Sequence, residues 1–284
     1  MSINIFYFGE KNFGDAVNKI FWEKLTNKKT FFDNKKNYYM TTGSIMNLVT
    51  EKSIILGTGF ISQNSDLGGC QPFYTGSNKL YCKPLKIVSV RGLLTKQKLL
   101  KLNLNCPSVF GDPLILFPCI YSKKKAIKKN IVGIIPHYID KNNKNVMSLK
   151  KNLERQNFNV KMIDIEVGNN YQKLIDEIND CQYIISSSLH GIIMGIVYKK
   201  KTVYCKFSNN VVGKYFKFRD FFSSINYNHN FNTSEIFTAN ILKYHIRLKY
   251  SNLINMSVKL INTIPFIEET RKKELIRLYN NFYN

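Results

Sequence analysis

The 284-residue chain is short of arginine, of acidic groups and of tryptophan. Arginine stands only at positions 91, 155, 219, 247, 271 and 277, acidic residues number 19 against 42 basic ones, and Trp22 is the single indole. The formal charge is +23, nearly all of it lysine. A surface that reads bases normally uses arginine, whose planar fork makes paired hydrogen bonds. Scattered lysines beside abundant asparagine and isoleucine favour compositional drift over a dedicated nucleic-acid face, and they stay compatible with small anionic substrates. The six cysteines (70, 82, 106, 119, 181, 205) form no CxxC pair, and HExxH is absent, so no metal site is expected. Buried free thiols in a reducing compartment are expected instead. GxGxxG, GxxxxGK[ST] and GxSxG are missing too, which removes the familiar dinucleotide, P-loop and hydrolase signatures. Residues 1–8 have no basic stretch before the apolar run and do not read as a signal peptide. The longest apolar stretch, 182–198, contains three serines and a histidine and is marginal in length for a membrane span. A soluble, cytoplasmic protein is expected.

What is present is a repeated alternation of apolar runs with amphipathic segments. Residues 3–8 form a short apolar run, followed by Asn12-Phe13-Gly14-Asp15 and a helical pattern to about Asn27 with Val17, Ile20, Phe21 and Leu25 on one face. Residues 53–56 end in Gly57-Thr58-Gly59, and residues 86–90 end in Arg91-Gly92 before an amphipathic helix over 93–102. Val109-Phe110-Gly111-Asp112-Pro113 closes this half. The polar, basic stretch 122–130 has no core-facing pattern and reads as a linker. A second half begins at 131–135, runs into Pro136-His137-Tyr138, and continues with helices near 147–156 and 171–180 and strands at 159–165, 183–186 and 202–205. From 234 onward the pattern is helical with a break at Pro265. The expectation is an α/β protein with two Rossmann-like units, 1–121 and 131–284, facing a cleft, the second carrying a helical tail.

Ligands in open parallel sheets bind at the carboxyl ends of strands, and the polar residues collect there. Asp15, Gly57, Arg91, Asp112, His137 and His190 each follow an apolar run. Ser186-Ser187-Ser188-Leu189-His190-Gly191 leads from a strand into a helix, where free backbone N–H groups favour an anion. One serine suffices for a cap; three, then His190 and Gly191, leave room for a phosphate grip by Ser187 and Ser188, with His190 as phosphate donor or general acid. His137 is either a ligand contact or a turn residue. Arg91 would clamp a carboxylate or phosphate, or pair with an aspartate such as Asp112. Asp112 also reads as a cap. Asp15 either caps the first helix or accepts a proton from a substrate hydroxyl. Gly57 is a weak phosphate-loop signal. In Phe216-Lys217-Phe218-Arg219-Asp220 the default is a solvated charged face, with Lys217 as a substrate contact in the alternative.

Taken in order, five segments resemble the polysaccharide pyruvyl transferase family. They are Asn12-Phe13-Gly14-Asp15, Val90-Arg91-Gly92-Leu93-Leu94-Thr95, Phe110-Gly111-Asp112-Pro113, Gly133-Ile134-Ile135-Pro136-His137-Tyr138, and Ile185 through Gly191. The likeness continues into Gly213 and Phe216-Lys217-Phe218-Arg219-Asp220, which is similar to the family's Phe-Lys-Phe-x-Asp-Tyr stretch, with Phe221 in place of its tyrosine. Some relatives carry arginine where this chain has Ser188. The resemblance implies a two-domain architecture similar to GT-B glycosyltransferases. It also implies transfer of the enolpyruvyl group of phosphoenolpyruvate onto a sugar as a cyclic ketal, with phosphate released and no further cofactor. It places phosphoenolpyruvate near Arg91 and His190, gives Ser187 and Ser188 a share in holding the anion, and leaves Asp15 as the base for the acceptor hydroxyl. The implied partners are phosphoenolpyruvate and a sugar or lipid-linked oligosaccharide, with no nucleic acid; acceptor identity and oligomeric state stay open. The basic surface suits peripheral contact with an anionic membrane. Two other readings compete: a GT-B glycosyltransferase that uses a nucleotide sugar, and a non-catalytic polyanion-binding protein.

Overall fold

The computed structural model describes residues 2–7, 11–65, 82–122 and 130–284. Two sheets, both parallel throughout, form its centre. In the first, β1 (Ile3–Phe6), β2 (Thr30–Phe31), β3 (Tyr38–Met40), β4 (Ser53–Leu56) and β5 (Lys86–Ser89) lie in the order β2-β1-β3-β4-β5. In the second, β6 (Ile131–Ile135), β7 (Asn159–Met162), β8 (Tyr183–Ser186) and β9 (Lys201–Tyr204) lie in the order β7-β6-β8-β9. Parallel strands are covered on both faces, so they read as continuous apolar runs rather than as alternations. That is why β1, β4, β6 and β8 appear in the sequence. β2 and β3, two and three residues long in a polar stretch, are set by their pairing with β1 and β4.

The first expected helix is two: α1 (Phe13–Ala16) and α2 (Asn18–Thr26), joined at Val17. α2 buries Phe21, Trp22 and Leu25 and ends at Asn27, in the left-handed conformation that asparagine tolerates (φ 57°). Trp22 Nε1 donates to Thr41 Oγ1 at 3.0 Å, and Thr41 in turn donates to Asn18, which pins α2 to the turn after β3. α3 (Leu93–Lys101) follows β5 and buries Thr95 and Leu99. Where the sequence suggested a closing turn, residues Pro113–Cys119 form a 3-10 segment that is buried along its whole length.

The second half adds α4 (Lys144–Glu154), α5 (Tyr171–Asp180) and α6 (Leu189–Val197). Every residue of α6 is buried. The apolar stretch 182–198 is therefore the core unit β8–α6, and among the described residues no helix is long and apolar enough to cross a membrane. α7 (Phe216–Ser224) corrects the expectation of a solvated charged face: Lys217 and Asp220 are buried with Phe216, Phe218, Phe221 and Phe222. The tail forms α8 (Tyr250–Thr263) and α9 (Glu269–Tyr283), broken around Pro265 as expected. Both return to the first half. α8 packs on β5 and on the 3-10 segment, and α9 on that same segment. Arg271 Nε donates to the Leu25 carbonyl at 3.0 Å, and Lys28 Nζ to that of Phe266 at 3.0 Å.

One apolar cluster unites residues of both sheets. It takes Ile3, Ile5 and Leu56 from the first and Ile135, Ile184 and Tyr204 from the second, with Leu114, Ile115, Leu116 and Phe117 of the 3-10 segment and much of α6. Cys106, Cys119, Cys181 and Cys205 are buried free thiols, as expected. Cys82 departs from that expectation and is disulfide-bonded; Cys70 lies outside the described residues. Residues 123–129, most of the expected linker, also lie outside them.

Candidate active site

The carboxyl ends of strands from both sheets meet at Gly14 and His190. Gly14 follows β1 at the start of α1, and His190 follows β8 as the second residue of α6. The imidazole lies so close to the Gly14 backbone that a Cβ there would fall 1.8 Å from Nδ1 and 1.9 Å from Cε1. Backbone bonds reinforce the junction: Phe13 N–H donates to the Ile165 carbonyl at 2.9 Å, and Gly168 N–H to that of Lys11 at 3.1 Å.

The three serines ahead of α6 divide their work. Ser186 Oγ donates to the Ile135 carbonyl at 2.7 Å and accepts from Ser188 N–H at 2.9 Å. Ser187 Oγ donates to Asp140 Oδ2 and accepts from His137 N–H, both at 2.8 Å. Ser188 is the N-cap residue of α6 and makes no side-chain cap bond. Gly191 permits the Ser186 hydroxyl to approach, since a Cβ would lie 2.4 Å from its Oγ. The turn 186–188 is thus held by its own hydroxyls.

His190 Nε2 lies 3.7 Å from Asp112 Oδ2. Both atoms are buried and neither has a hydrogen-bond partner among the described residues. Asp112 performs the capping role read from the sequence through its other oxygen, Oδ1, which accepts from Leu114 N–H at 3.0 Å. Asp15 accepts from Asn12 Nδ2 at 2.7 Å. Burial raises the Asp15 carboxyl above the usual range, while Asn12, His190 and Lys217 pull it back.

Lys217 is 7% exposed. Its ammonium makes no hydrogen bond or ion pair with the described residues and lies 5.6 Å from the centroid of the Phe218 ring. Burial first, and then the Arg91 charge, lower it to about 8, with Asp15 and Asp140 acting in the opposite direction. Burial, with Lys217 and His190 adding, lowers His137 to about 3. Its Nδ1 accepts from Ile139 N–H at 3.3 Å, which puts the proton on Nε2 and makes that edge a donor.

Arg91 has a different surrounding from the one the sequence suggested. It is fully buried and pairs with Asp220 rather than Asp112, Nε to Oδ2 at 3.0 Å. Nη1 donates to Ser44 Oγ at 2.6 Å and Nη2 to the Phe60 carbonyl at 2.5 Å. Gly57 occupies a left-handed turn (φ 92°) where a Cβ would meet Pro113 at 2.5 Å, so it fits the turn after β4 against the turn carrying Asp112. The structure therefore gathers Asp15, His137, His190 and Lys217 with Asp112 and Asp140, while Arg91, Gly57 and Gly191 shape the surroundings. Asp140, which takes Ser187 and Ser208 as donors, was missed; its one sequence signal is its place three residues after His137. Among the described residues no group of three His, Cys, Asp or Glu side chains could hold a metal.

The sequence pattern of the polysaccharide pyruvyl transferase family matches residues 12–209. The chain belongs to that family. The matched span includes Asp15, Arg91, Asp112, His137, Asp140, Ser187 and His190 and ends before Lys217. An uncharacterized protein of Acanthamoeba polyphaga mimivirus is 30% identical over 201 residues, 67% of this chain and 63% of that protein. The chain thus spans less than two thirds of the length of the relative it matches. No solved structure matches it.

Proposed function

We propose that this member of the family transfers the enolpyruvyl group of phosphoenolpyruvate to two hydroxyls of a sugar in a glycan, forming a cyclic ketal and releasing phosphate. The observation that carries the reading is Lys217, a buried ammonium with no counter-ion bonded to it, set beside His190, His137 and Asp15 at the meeting of the strand ends. A buried cation without a partner is costly unless a ligand supplies the anion. Phosphoenolpyruvate brings two, a phosphate and a carboxylate.

The chemistry assigns the groups as follows. Lys217 and the His137 Nε2–H hold the anion, with the Ser188 end of α6 turned to the same ligand. His190 protonates the methylene carbon, which leaves an oxocarbenium-like C2. A sugar hydroxyl attacks C2 and gives its proton to Asp15, whose raised carboxyl is suited to receive it. The second hydroxyl displaces phosphate, which departs with that hydroxyl's proton, and the ketal closes. Arg91 acts from behind, through Asp220 and α7, as a positioning residue. In this reading the two sheets belong to two Rossmann-like units, 1–121 and 131–284, disposed as in GT-B transferases. The enzyme works in the cytoplasm and meets lipid-linked acceptors at the inner membrane face.

The test is phosphate release from phosphoenolpyruvate with and without a panel of galactosides, glucosides and N-acetylhexosamines, alongside thermal unfolding with phosphoenolpyruvate or nucleotide sugars. Acceptor-dependent release, lost in His190→Ala with the fold retained, is expected. Protection by a nucleotide sugar and none by phosphoenolpyruvate would transfer the assignment to glycosyl transfer.

A further inference from the structure

The two carboxylate oxygens of Asp112 have different surroundings. Oδ1 accepts from Leu114 N–H at 3.0 Å and caps the 3-10 segment. That bond fixes the carboxyl group and leaves Oδ2 facing α6, on which the segment packs. Oδ2 is buried and has no hydrogen-bond partner among the described residues; it lies 3.7 Å from His190 Nε2, which is buried and unpartnered in the same way. A buried polar atom without a partner is costly, and here two complementary ones face each other. Asp112 is fully buried, and the imidazole is backed by Gly14, whose missing Cβ leaves the space that its Nδ1–Cε1 edge occupies.

The two ring nitrogens of His190 differ as well. Nε2 is closed off and Nδ1 is not, the side chain keeping 8% of its surface. A carboxylate oxygen only accepts, so the nitrogen that faces it carries the hydrogen. The bond made by one ring nitrogen decides the protonation of the other. An Nε2–H directed at Asp112 therefore leaves Nδ1 as the nitrogen that gives and takes a proton. The separation is about 0.5 Å beyond an N–H···O bond, and bonds between acid–base groups commonly run long until substrate draws them in. Asp15, the other carboxylate acting near the ring, already accepts from Asn12.

We propose that Asp112 is the positioning residue of His190, its Oδ2 holding Nε2–H so that Nδ1 is the nitrogen that meets the reacting group. The hydrogen bond stands on the geometry alone; the step it serves rests on the transfer reading above. In that step the imidazolium Nδ1–H bond breaks and leaves its electron pair on nitrogen. The proton joins the methylene carbon of phosphoenolpyruvate, and the π pair of the double bond becomes the new C–H bond. Nε2–H stays with Asp112 throughout. Asp15, holding the proton of the first sugar hydroxyl, returns one to Nδ1 and completes the cycle.

The cap makes Asp112→Asn informative. Leu114 N–H needs an acceptor, so the amide oxygen must stay there and the NH₂ must turn to His190. A donor facing Nε2 drives the ring proton to Nδ1. Nitrogen-15 spectra of the full chain, with the His190 signals assigned by their loss in His190→Gln, are expected to show Nε2–H in the neutral ring of the parent and Nδ1–H in Asp112→Asn. Asp112→Ser keeps a cap and has no second oxygen. Both Asp112 variants are expected to keep protection by phosphoenolpyruvate against thermal unfolding and to lose turnover by about 10²–10⁴. An aspartate that only capped the segment would leave the tautomer unchanged, and the parent spectrum decides the point even where a variant does not fold. Nδ1–H in the parent, Nε2–H retained in Asp112→Asn, or turnover within twofold of the parent in Asp112→Ser would each overturn the proposal. The expected tautomers in a protein that releases no phosphate with any acceptor would uphold the bond to Asp112 and overturn the transfer reading alone.

Discussion

Arg91 Nε donates to Asp220 Oδ2 at 3.0 Å, with both side chains fully buried and 129 residues apart in the chain. The carboxylate is otherwise satisfied by Thr95, whose N–H donates to Oδ1 at 2.9 Å and whose hydroxyl donates to Oδ2 at 2.6 Å. α7 is thereby clasped to the end of β5 and the first turn of α3. Gly92 belongs to the same clasp, since a Cβ there would fall 1.7 Å from the Asp220 carbonyl oxygen. Lys217 sits one turn before Asp220, so the clasp fixes where its ammonium stands.

Breaking that pair leaves one buried charge alone. Asp220→Asn or Arg91→Met should each destabilise the fold by about 3–5 kcal/mol. Replacing both, as Arg91→Met with Asp220→Leu, should recover part of the loss. Urea unfolding of the three variants checks this; single variants as stable as the parent would show that the pair contributes nothing.

Gly14→Ala is predicted to retain the fold and lose the site. The added methyl coincides with the His190 ring, which must swing away from Asp112. With His190 in the acid role proposed above, the expected result is a fall in turnover of about 10²–10⁴, the usual scale for removing one acid–base group, with circular dichroism unchanged. Turnover within twofold of the parent would mean that His190 does not act from this position.

Lys217 sets a pH dependence with two opposite signs. Its folded pKa of about 8 lies below the value near 10.5 of an unfolded lysine. Between those values the unfolded chain binds more protons, so this residue adds stability as pH rises through about 8–10.5 and adds none below. On the transfer reading, phosphoenolpyruvate affinity should run the other way, since the proposed anion contact needs the ammonium. It should be flat below about pH 8 and fall about tenfold per unit above. Calorimetric titration from pH 7 to 9.5 measures the slope, and Lys217→Met should flatten it; an unchanged slope in the variant would assign the titration to another group.

His137 should remain neutral far into acid. Its value of about 3, set by burial and then by Lys217 and His190, puts protonation well below the ordinary histidine range. With Nδ1 accepting from Ile139 N–H, nitrogen-15 spectra of the ring should report the Nε2–H tautomer and no titration between pH 5 and 8. An imidazolium signal at pH 5 would refute the assignment.

How far the sequence reached depends on the range of the interactions involved. The apolar runs of β6, β8 and α6 are continuous because both faces of a parallel sheet are covered, and they were legible. Asp15, His137 and His190 were legible by position, each just past such a run. Phe216 to Asp220 was not, because a charged residue reads as solvated until its partner is known, and the partner of Asp220 is Arg91. The same missing information left Asp112 as the example of an aspartate mate for Arg91 in the alternative to a substrate clamp, whereas its free oxygen faces His190. β2 and β3 carry too few residues to declare themselves without their neighbours.

The apolar cluster running through Pro113–Cys119 has a consequence for how the molecule is assembled. Neither sheet can complete its interior alone, because the 3-10 segment, α6 and the returning helices α8 and α9 contribute to both. Unfolding should then be a single cooperative event rather than two. Gly14 and His190 come together only once residues before the 3-10 segment and residues after β8 are both in place. A chain truncated before α9 would hold every group named in the site but lack part of the scaffold that brings them together.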